Sequence, residues 1–189
     1  DVQVTGAANL QAQQDIQIAQ NLMASAITTQ SVAGNTTVGG QVGTAGALDM
    51  RAGGNIAAGQ VVAGVAGGAA ASIDADGSVQ LASLETGGDN AGRAGQDHAV
   101  TGEMAVQDHA DVQAGGTIQA GSLAVGAGLQ AQAGGDIVVN GDALVIGNAQ
   151  LQSGGAQQVA GNLQVTDQLV SDAQGGLQVG GDLVANNGL

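Results

Sequence analysis

The chain of 189 residues contains no phenylalanine, tryptophan, tyrosine, proline, cysteine or lysine. A core without aromatic residues must be built from small aliphatic side chains, which suits a narrow interior better than a two-layer globule. The lack of proline is typical of folds in which nearly every backbone N–H is hydrogen-bonded to a neighbouring strand. The lack of cysteine means that no disulfide staples the fold. These absences favour a narrow, backbone-bonded architecture.

Positive charge is also scarce. The chain has two arginines, Arg51 and Arg93, and 16 acidic residues, which gives a net charge of −14. Such a chain cannot neutralise phosphates, so we expect neither nucleic acid nor membrane insertion. No apolar run is long enough to span a bilayer, and no signal peptide is visible. A disordered chain is disfavoured because charged residues make up 10% of the sequence and the mean hydropathy is +0.16.

A phrase built around a Gly-Gly pair recurs along the chain, and this repeat is its main sequence feature. The clearest copies are LDMRAGGNIAA from Leu48, ADVQAGGTIQA from Ala110, LQAQAGGDIVV from Leu129 and AQLQSGGAQQV from Ala149. One position, in most copies the residue after the pair, recurs about every 20 residues, and we place on it Asp15, Asn35, Asn55, Ser78, Asp97, Thr117, Asp136, Ala156 and Leu177. The register between Ala57 and Gly116 stays open. We therefore predict about nine units in a single repeat domain spanning 1–189.

Each unit has the spacing of short strands. Bursts of three to five apolar or alternating residues are separated by Gly, Asn or Asp, which tolerate left-handed backbone at turns. The 35 glycines leave few windows for a helix; residues 11–31 have a helical composition, but their alternation favours strands. Three short strands per unit predict an all-β fold, a single right-handed parallel β-helix with coils stacked about 4.8 Å apart. Nine coils would form a rod about 40 Å long.

The acidic residues lie mostly beside glycine or at strand ends, as do Asp15, Asp76, Asp136, Asp142 and Asp182. Aspartate at such places satisfies local backbone donors, and a negative surface keeps a rod soluble. The calcium-binding nonapeptide repeat is not present. We therefore interpret these side chains as turn residues and not as calcium ligands.

A duplicated QDHA phrase, at 96–99 and 107–110, brings Asp97, His98, Asp108 and His109 into one stretch. Two imidazoles and two carboxylates could bind a divalent metal, but a separation of half a coil puts the two pairs on different faces. We therefore expect surface turn residues. No catalytic motif is found, and sugar-cleaving β-helices generally carry aromatic platforms. We expect no enzymatic activity, no cofactor, and no catalytic, cofactor-binding or metal-binding residues.

One pattern recurs in three places: L-x-M-x-A-G-G-x-I from Leu48, A-D-V-Q-A-G-G-T-I from Ala110 and L-Q-A-Q-A-G-G-D-I from Leu129. This pattern resembles the haemagglutinin repeats of filamentous haemagglutinin and related adhesins. The resemblance is clearest at 47–56 and 110–189, whereas 57–71 and 87–102 depart from the repeat. It implies a right-handed β-helical shaft inside a very long exoprotein of a Gram-negative bacterium. Since neither end has an obvious polar cap, we expect this chain to be an internal segment.

The same resemblance implies that the parent protein is exported by two-partner secretion. It implies export through an outer-membrane pore partner to the cell surface, and a virulence role in which the shaft presents adhesive regions to carbohydrate or protein receptors on host cells. Relatives include contact-dependent inhibition toxins, which carry a toxic tip on the same kind of shaft. The alternatives are therefore a toxin shaft or, less favoured, a polysaccharide-acting β-helix enzyme.

Overall fold

The chain winds into a parallel β-solenoid of about nine coils in the computed structural model, which describes residues 1–188. Two parallel sheets run along the solenoid. The first sheet contains β1 (Val2–Gln3), β3 (Ile16–Ile18), β4 (Leu22–Ala24), β6 (Thr36–Val38), β7 (Val42–Thr44), β9 (Ile56–Ala63), β11 (Val79–Thr86), β13 (His98–Val106), β15 (Ile118–Val125), β17 (Ile137–Val139), β18 (Ala143–Val145), β20 (Gln157–Val159), β21 (Leu163–Val165), β23 (Leu177–Val179) and β24 (Leu183–Ala185). The second contains β2 (Ala7–Ala12), β5 (Ala26–Ser31), β8 (Leu48–Ala52), β10 (Ala71–Ala75), β12 (Asn90–Ala94), β14 (Ala110–Ala114), β16 (Leu129–Ala133), β19 (Ala149–Ser153) and β22 (Leu169–Ala173).

Each coil repeats one order of elements. A strand of the second sheet is followed by a first turn, a segment of the first sheet, a second turn, another segment of the first sheet and a third turn, as in β19, β20, β21 and then β22. In the middle coils the two first-sheet segments are continuous, giving the long strands β9, β11, β13 and β15. The predicted three strands per coil therefore describe the outer coils. The predicted strands in residues 11–31 are confirmed as parts of β2 to β5.

Strict alternation of side chains sorts the residues between core and solvent. In β16, Leu129, Ala131 and Ala133 are buried, whereas Gln130 and Gln132 are exposed. Because the coils pair in register, equivalent inward residues stack in columns. The column beside the first turn is made of small residues, namely Ala52, Ala75, Ala94, Ala114, Ala133 and Ser153. The aliphatic core predicted from the composition is thus a set of parallel columns.

The strand pairing fixes the register that the sequence left open. Val79 pairs with Ile56 and with His98, which puts Ser78 and Asp97 on the position of Asn55. Both placements are confirmed. The placement of Leu177 is wrong: Leu177 pairs with Gln157, so Gly176 is the equivalent of Ala156. The Gly-Gly pair of that coil lies one residue later than in the preceding coil, which misleads an alignment on the glycines.

The irregular stretch after Asn55 is a local insertion in the third turn. Seven residues, 64–70, separate β9 from β10, whereas three separate β7 from β8. Gly64 and Gly68 have φ values of 62° and 66°, a region that glycine adopts without strain. The loop leaves the stacking of its coil intact, because β9 pairs in parallel with β11 along both segments. Of the residues 57–71 that depart from the repeat, 57–63 belong to strand β9 and 64–70 form a surface loop, so the solenoid is not interrupted there.

The repeated Gly-Gly pairs are needed for close stacking of the turns. Gly53 and Gly134 do not have positive φ values, so left-handed backbone does not explain them. A side chain at Gly53 would collide with the carbonyl of Val32, and one at Gly134 would collide with that of Gly115. The expectation that these glycines permit left-handed turns is replaced by a packing reason: the turn of the preceding coil leaves no room for a Cβ atom.

The stacked core makes a sharp prediction for Ile137, which is 5% exposed on β17. Ile137→Asp should lower the free energy of unfolding by about 4 kcal/mol or more, because it buries an unpaired charge. Leu144→Asp is the matched control, since Leu144 is 40% exposed on the neighbouring strand β18, and its effect should stay within about 1 kcal/mol. Thermal and denaturant unfolding measure both. Equal unfolding of the two variants would contradict the inward orientation of Ile137.

Candidate functional site

The turns carry ladders of Asp and Asn side chains that join successive coils. At the first turn, Oδ1 of Asp15 accepts a hydrogen bond of 2.8 Å from the backbone N–H of Asn35, and Oδ1 of Asn35 accepts one of 2.8 Å from Asn55. Asp97 and Asp136 bind the N–H groups of Thr117 and Ala156 in the same way. Each side chain thus satisfies a backbone donor one coil further along.

The second and third turns use the same device. At the second turn, Asp142 accepts from the N–H of Asn162 at 2.7 Å, and Asn162 accepts from Asp182 at 2.9 Å. At the third turn, Asp89 accepts from the N–H of His109 at 3.1 Å. The donors lie about 20 residues away in sequence and not within the same turn. The turn interpretation of Asp15, Asp136 and Asp142 is refined accordingly: these side chains link neighbouring coils.

The QDHA duplication is divided between different parts of the coil. Asp97 lies in the first-turn ladder, whereas Asp108 and His109 lie in the third turn, where His109 Nδ1 is 3.4 Å from a carboxylate oxygen of Asp89. The expectation of surface turn residues is wrong for His98, which is 1% exposed. His98 occupies an inward position between Val79 and Ile118. In residues 1–188 no group of three His, Cys, Asp or Glu side chains is arranged to hold a metal.

His98 is accommodated by a glycine on the opposite sheet. Gly92 holds an inward position of β12, in register with Ile73 and Val112. A methyl group added at Gly92 would lie 2.5 Å from Nε2 of His98. The imidazole therefore fills the space that an aliphatic side chain fills in the neighbouring coils. The missing side chain at position 92 and the large one at position 98 form a complementary pair.

This coil carries buried polar atoms without partners. Nε2 of His98 and both side-chain polar atoms of Asn90, which is 2% exposed, make no hydrogen bond within the described residues. By contrast, the side-chain amide of a buried glutamine three coils further along is hydrogen-bonded at both its nitrogen and its oxygen. Gln157 donates to the carbonyls of Leu151 and Asp172 at 3.1 Å and accepts from the Ser171 hydroxyl at 2.7 Å. Unpaired buried polar groups cost free energy, so the coil of Asn90 and His98 is a weak point of the core.

Burial determines the ionisation of His98. Loss of hydration lowers the pKa of His98 from 6.5 to about 4, against a smaller opposing effect of a backbone hydrogen bond. The imidazole is therefore neutral in the folded protein at pH 7.

A long groove follows the third turns along the outside of the solenoid, and we call it the third-turn groove. It has a volume of about 1120 Å³ and extends from the coil of Leu48 to that of Leu169. It is lined by turn residues such as Ala70, Gly128 and Asn148 and by the first outward residues of the second-sheet strands, among them Asp111 and Gln150. The sequence analysis did not anticipate this groove.

Comparisons with known protein families, with curated proteins and with solved structures found no match for this chain. Residues 1–188 contain no helix that is long and apolar enough to cross a bilayer.

Two features of this region escaped the sequence analysis for different reasons. The pairing of Gly92 with His98 required the register between 57 and 116, which strand pairing alone supplies. Once that register is known, Gly92 stands out as the glycine in a column of Ile73 and Val112. The groove joins residues of seven coils, and no local pattern of residues indicates the depth of the third turns.

The complementary pair predicts a compensating double substitution. Gly92→Val should lower the free energy of unfolding by about 1–3 kcal/mol through overpacking, and His98→Val should lower it by leaving a void. The double variant Gly92→Val/His98→Val restores the composition of neighbouring coils and should recover most of the loss. Denaturant unfolding of all four proteins gives the coupling energy. Strictly additive effects would contradict contact between the two positions.

The buried imidazole predicts a pH-dependent stability. The unfolded chain binds a proton with a pKa of 6.5 and the folded chain with one of about 4, so the unfolded state binds more protons between these values. The free energy of unfolding should therefore fall as the pH falls from about 6.5 to 4, by about 3 kcal/mol in total. His98→Leu should lack this loss, measured by urea unfolding at each pH. Parallel pH curves for the two proteins would contradict the lowered pKa.

Proposed function

We propose that this chain is a structural shaft segment of a large secreted bacterial surface adhesin. The observation that carries the proposal is the uninterrupted parallel pairing of the second sheet, in which every strand from β2 to β22 bonds to its neighbours along the solenoid. Side chains of the turns add hydrogen bonds at several of these steps, as between Asp97 and Thr117 and between Asp136 and Ala156. A column of this kind resists bending because every coil is bonded to the next at two sheets and at its turns.

Secretion through a narrow pore is compatible with this construction. Each coil contacts mainly its two neighbours, so coils can stack one after another as the chain emerges. The chain has no cysteine, and its folding requires no disulfide formation outside the cell. The outer-membrane pore partner and the receptors on host cells are proposed from the resemblance of the Gly-Gly repeats to those of filamentous haemagglutinin.

Removal of complete coils tests the shaft role. Deleting residues 97–155 joins Gln96 to Ala156, two positions that are adjacent in the repeat, and removes three coils. Small-angle scattering should show a folded rod shortened by about 14 Å. Deletion of 97–165 is the control, because it joins a first turn to a third turn, so the coil after the junction cannot stack and the variant should unfold more easily than the in-phase one. Equal stability of the two variants would contradict the coil register on which the shaft depends.

The role in adhesion is tested on the parent polypeptide in its own bacterium. Antibodies against this segment should label intact cells, and removal of the parent protein should reduce attachment to host cells. The in-phase deletion should keep surface labelling. Labelling that requires permeabilised cells would overturn the proposed location. Normal attachment combined with lost growth inhibition of neighbouring bacteria would assign the shaft to a toxin instead.

A further inference from the structure

The third-turn groove offers hydrogen-bonding side chains at regular intervals along the rod. It crosses seven coils, a length of about 29 Å at the spacing of stacked strands. An occupant that uses its full length must be an extended polymer that runs parallel to the solenoid axis and therefore crosses the strands. The orientation of the groove thus limits the class of partner before any side chain is considered.

Backbone groups beneath the groove are engaged in the stacking of the coils. At the third turns the N–H of Ala110 donates to the carbonyl of Gly128 at 2.9 Å, and that of Leu129 donates to Asn148 at 2.9 Å. Ala149 and Gln168 continue the series. A peptide that binds by strand addition needs a free sheet edge with unpaired N–H and C=O groups. No such edge lines the described groove, so recognition has to come from side chains.

The charges of the groove exclude anionic polymers. Asp49, Asp89, Asp111 and Asp167 line it, whereas neither arginine does. Arg51 lies outside the lining and is bound to Asp49 at 3.1 Å. Sulfated or carboxylated chains would be repelled, since their recognition needs Arg or Lys.

The carboxyl-terminal half of the groove is largely neutral and rich in free amides. Gln130 and Gln150 are register partners on adjacent coils, and both side chains are exposed. The side-chain amides of Gln130, Gln150 and Gln168 make no hydrogen bond within residues 1–188, whereas the backbone N–H of Gln168 donates to Asn148. Each amide offers both donors and an acceptor. Beside them lie Ile146, which is 51% exposed, and Val170, which is 44% exposed.

We propose that the third-turn groove binds a neutral polysaccharide, with the principal site between Gln130 and Val170. Sugar rings present hydroxyl groups at their edges and C–H groups on their faces, and the groove has amide side chains for the first and aliphatic side chains for the second. The amides of Gln130 and Gln150 bind hydroxyls, while Ile146 and Val170 contact the ring faces. No aromatic platform is present, so each sugar is held weakly and affinity grows with the number of coils engaged. This binding is separate from the shaft role.

Affinity electrophoresis in native gels tests the proposal. The neutral probes are hydroxyethyl cellulose, galactomannan and dextran, and the anionic probes are alginate and heparin. Polylysine is the cationic probe, and its binding is measured by fluorescence polarisation of the labelled protein. Retardation by at least one neutral polymer and by neither anionic polymer is expected. The double variant Gln130→Ala/Gln150→Ala should weaken binding roughly tenfold.

The matched control is Gln158→Ala/Gln178→Ala, a pair of exposed register partners on the first sheet, outside the groove. It should bind as the unmodified protein does. All four glutamines are exposed, so both double variants should unfold as the unmodified protein does. Failure of all three neutral polymers to retard the protein, equal losses in the two double variants, or binding of polylysine alone would overturn the proposal. None of these results would affect the shaft, which the coil deletions test.

Discussion

The backbone hydrogen bonds between successive coils are the interaction on which the rest of the structure depends. They hold neighbouring strands at the spacing of a parallel sheet, about 4.8 Å, and this distance sets what each position can contain. At the first turns it leaves no room for a Cβ atom, which explains Gly53 and Gly134. It also places the Asp and Asn side chains of the turn ladders one coil away from a backbone N–H group, as for Asp136 and Ala156. Glycine pairs and acidic residues therefore follow from a single constraint.

The same spacing gives the core its composition. In-register stacking sets each inward side chain against its equivalents above and below. The alanine column beside the first turn keeps one small volume over many coils, whereas the column that runs from Met50 through Ile73, Gly92, Val112 and Ala131 to Leu151 varies in volume. At Gly92 the lost volume is compensated by His98 on the opposite sheet. The fold thus couples residues across the interior as well as along the rod.

Stability and surface chemistry are separated in this architecture. The inward columns and the turn ladders join the coils, whereas the outward positions of each strand are free to vary. The first outward positions of the second-sheet strands illustrate this freedom, since Asp111, Gln130, Gln150 and Val170 follow one another in register. A solenoid can in this way carry a graded surface, acidic in one part and amide-rich in another, without altering the stacking that holds it together.

The sequence by itself determined the strand content, the period of about 20 residues and the aliphatic core, because alternation and turn residues are local signals that repeat in every coil. It also located Ser78 and Asp97 on the repeat. It misplaced Leu177, since the Gly-Gly pair shifts by one residue in that coil. It took His98 for a surface turn residue because the two QDHA pairs, half a coil apart, were expected on different faces. Only the tertiary structure decided these positions, the inter-coil role of the aspartates and the third-turn groove. Each of them depends on which residues of different coils are brought into register, and that information resides in the strand pairing and not in any one stretch of the chain.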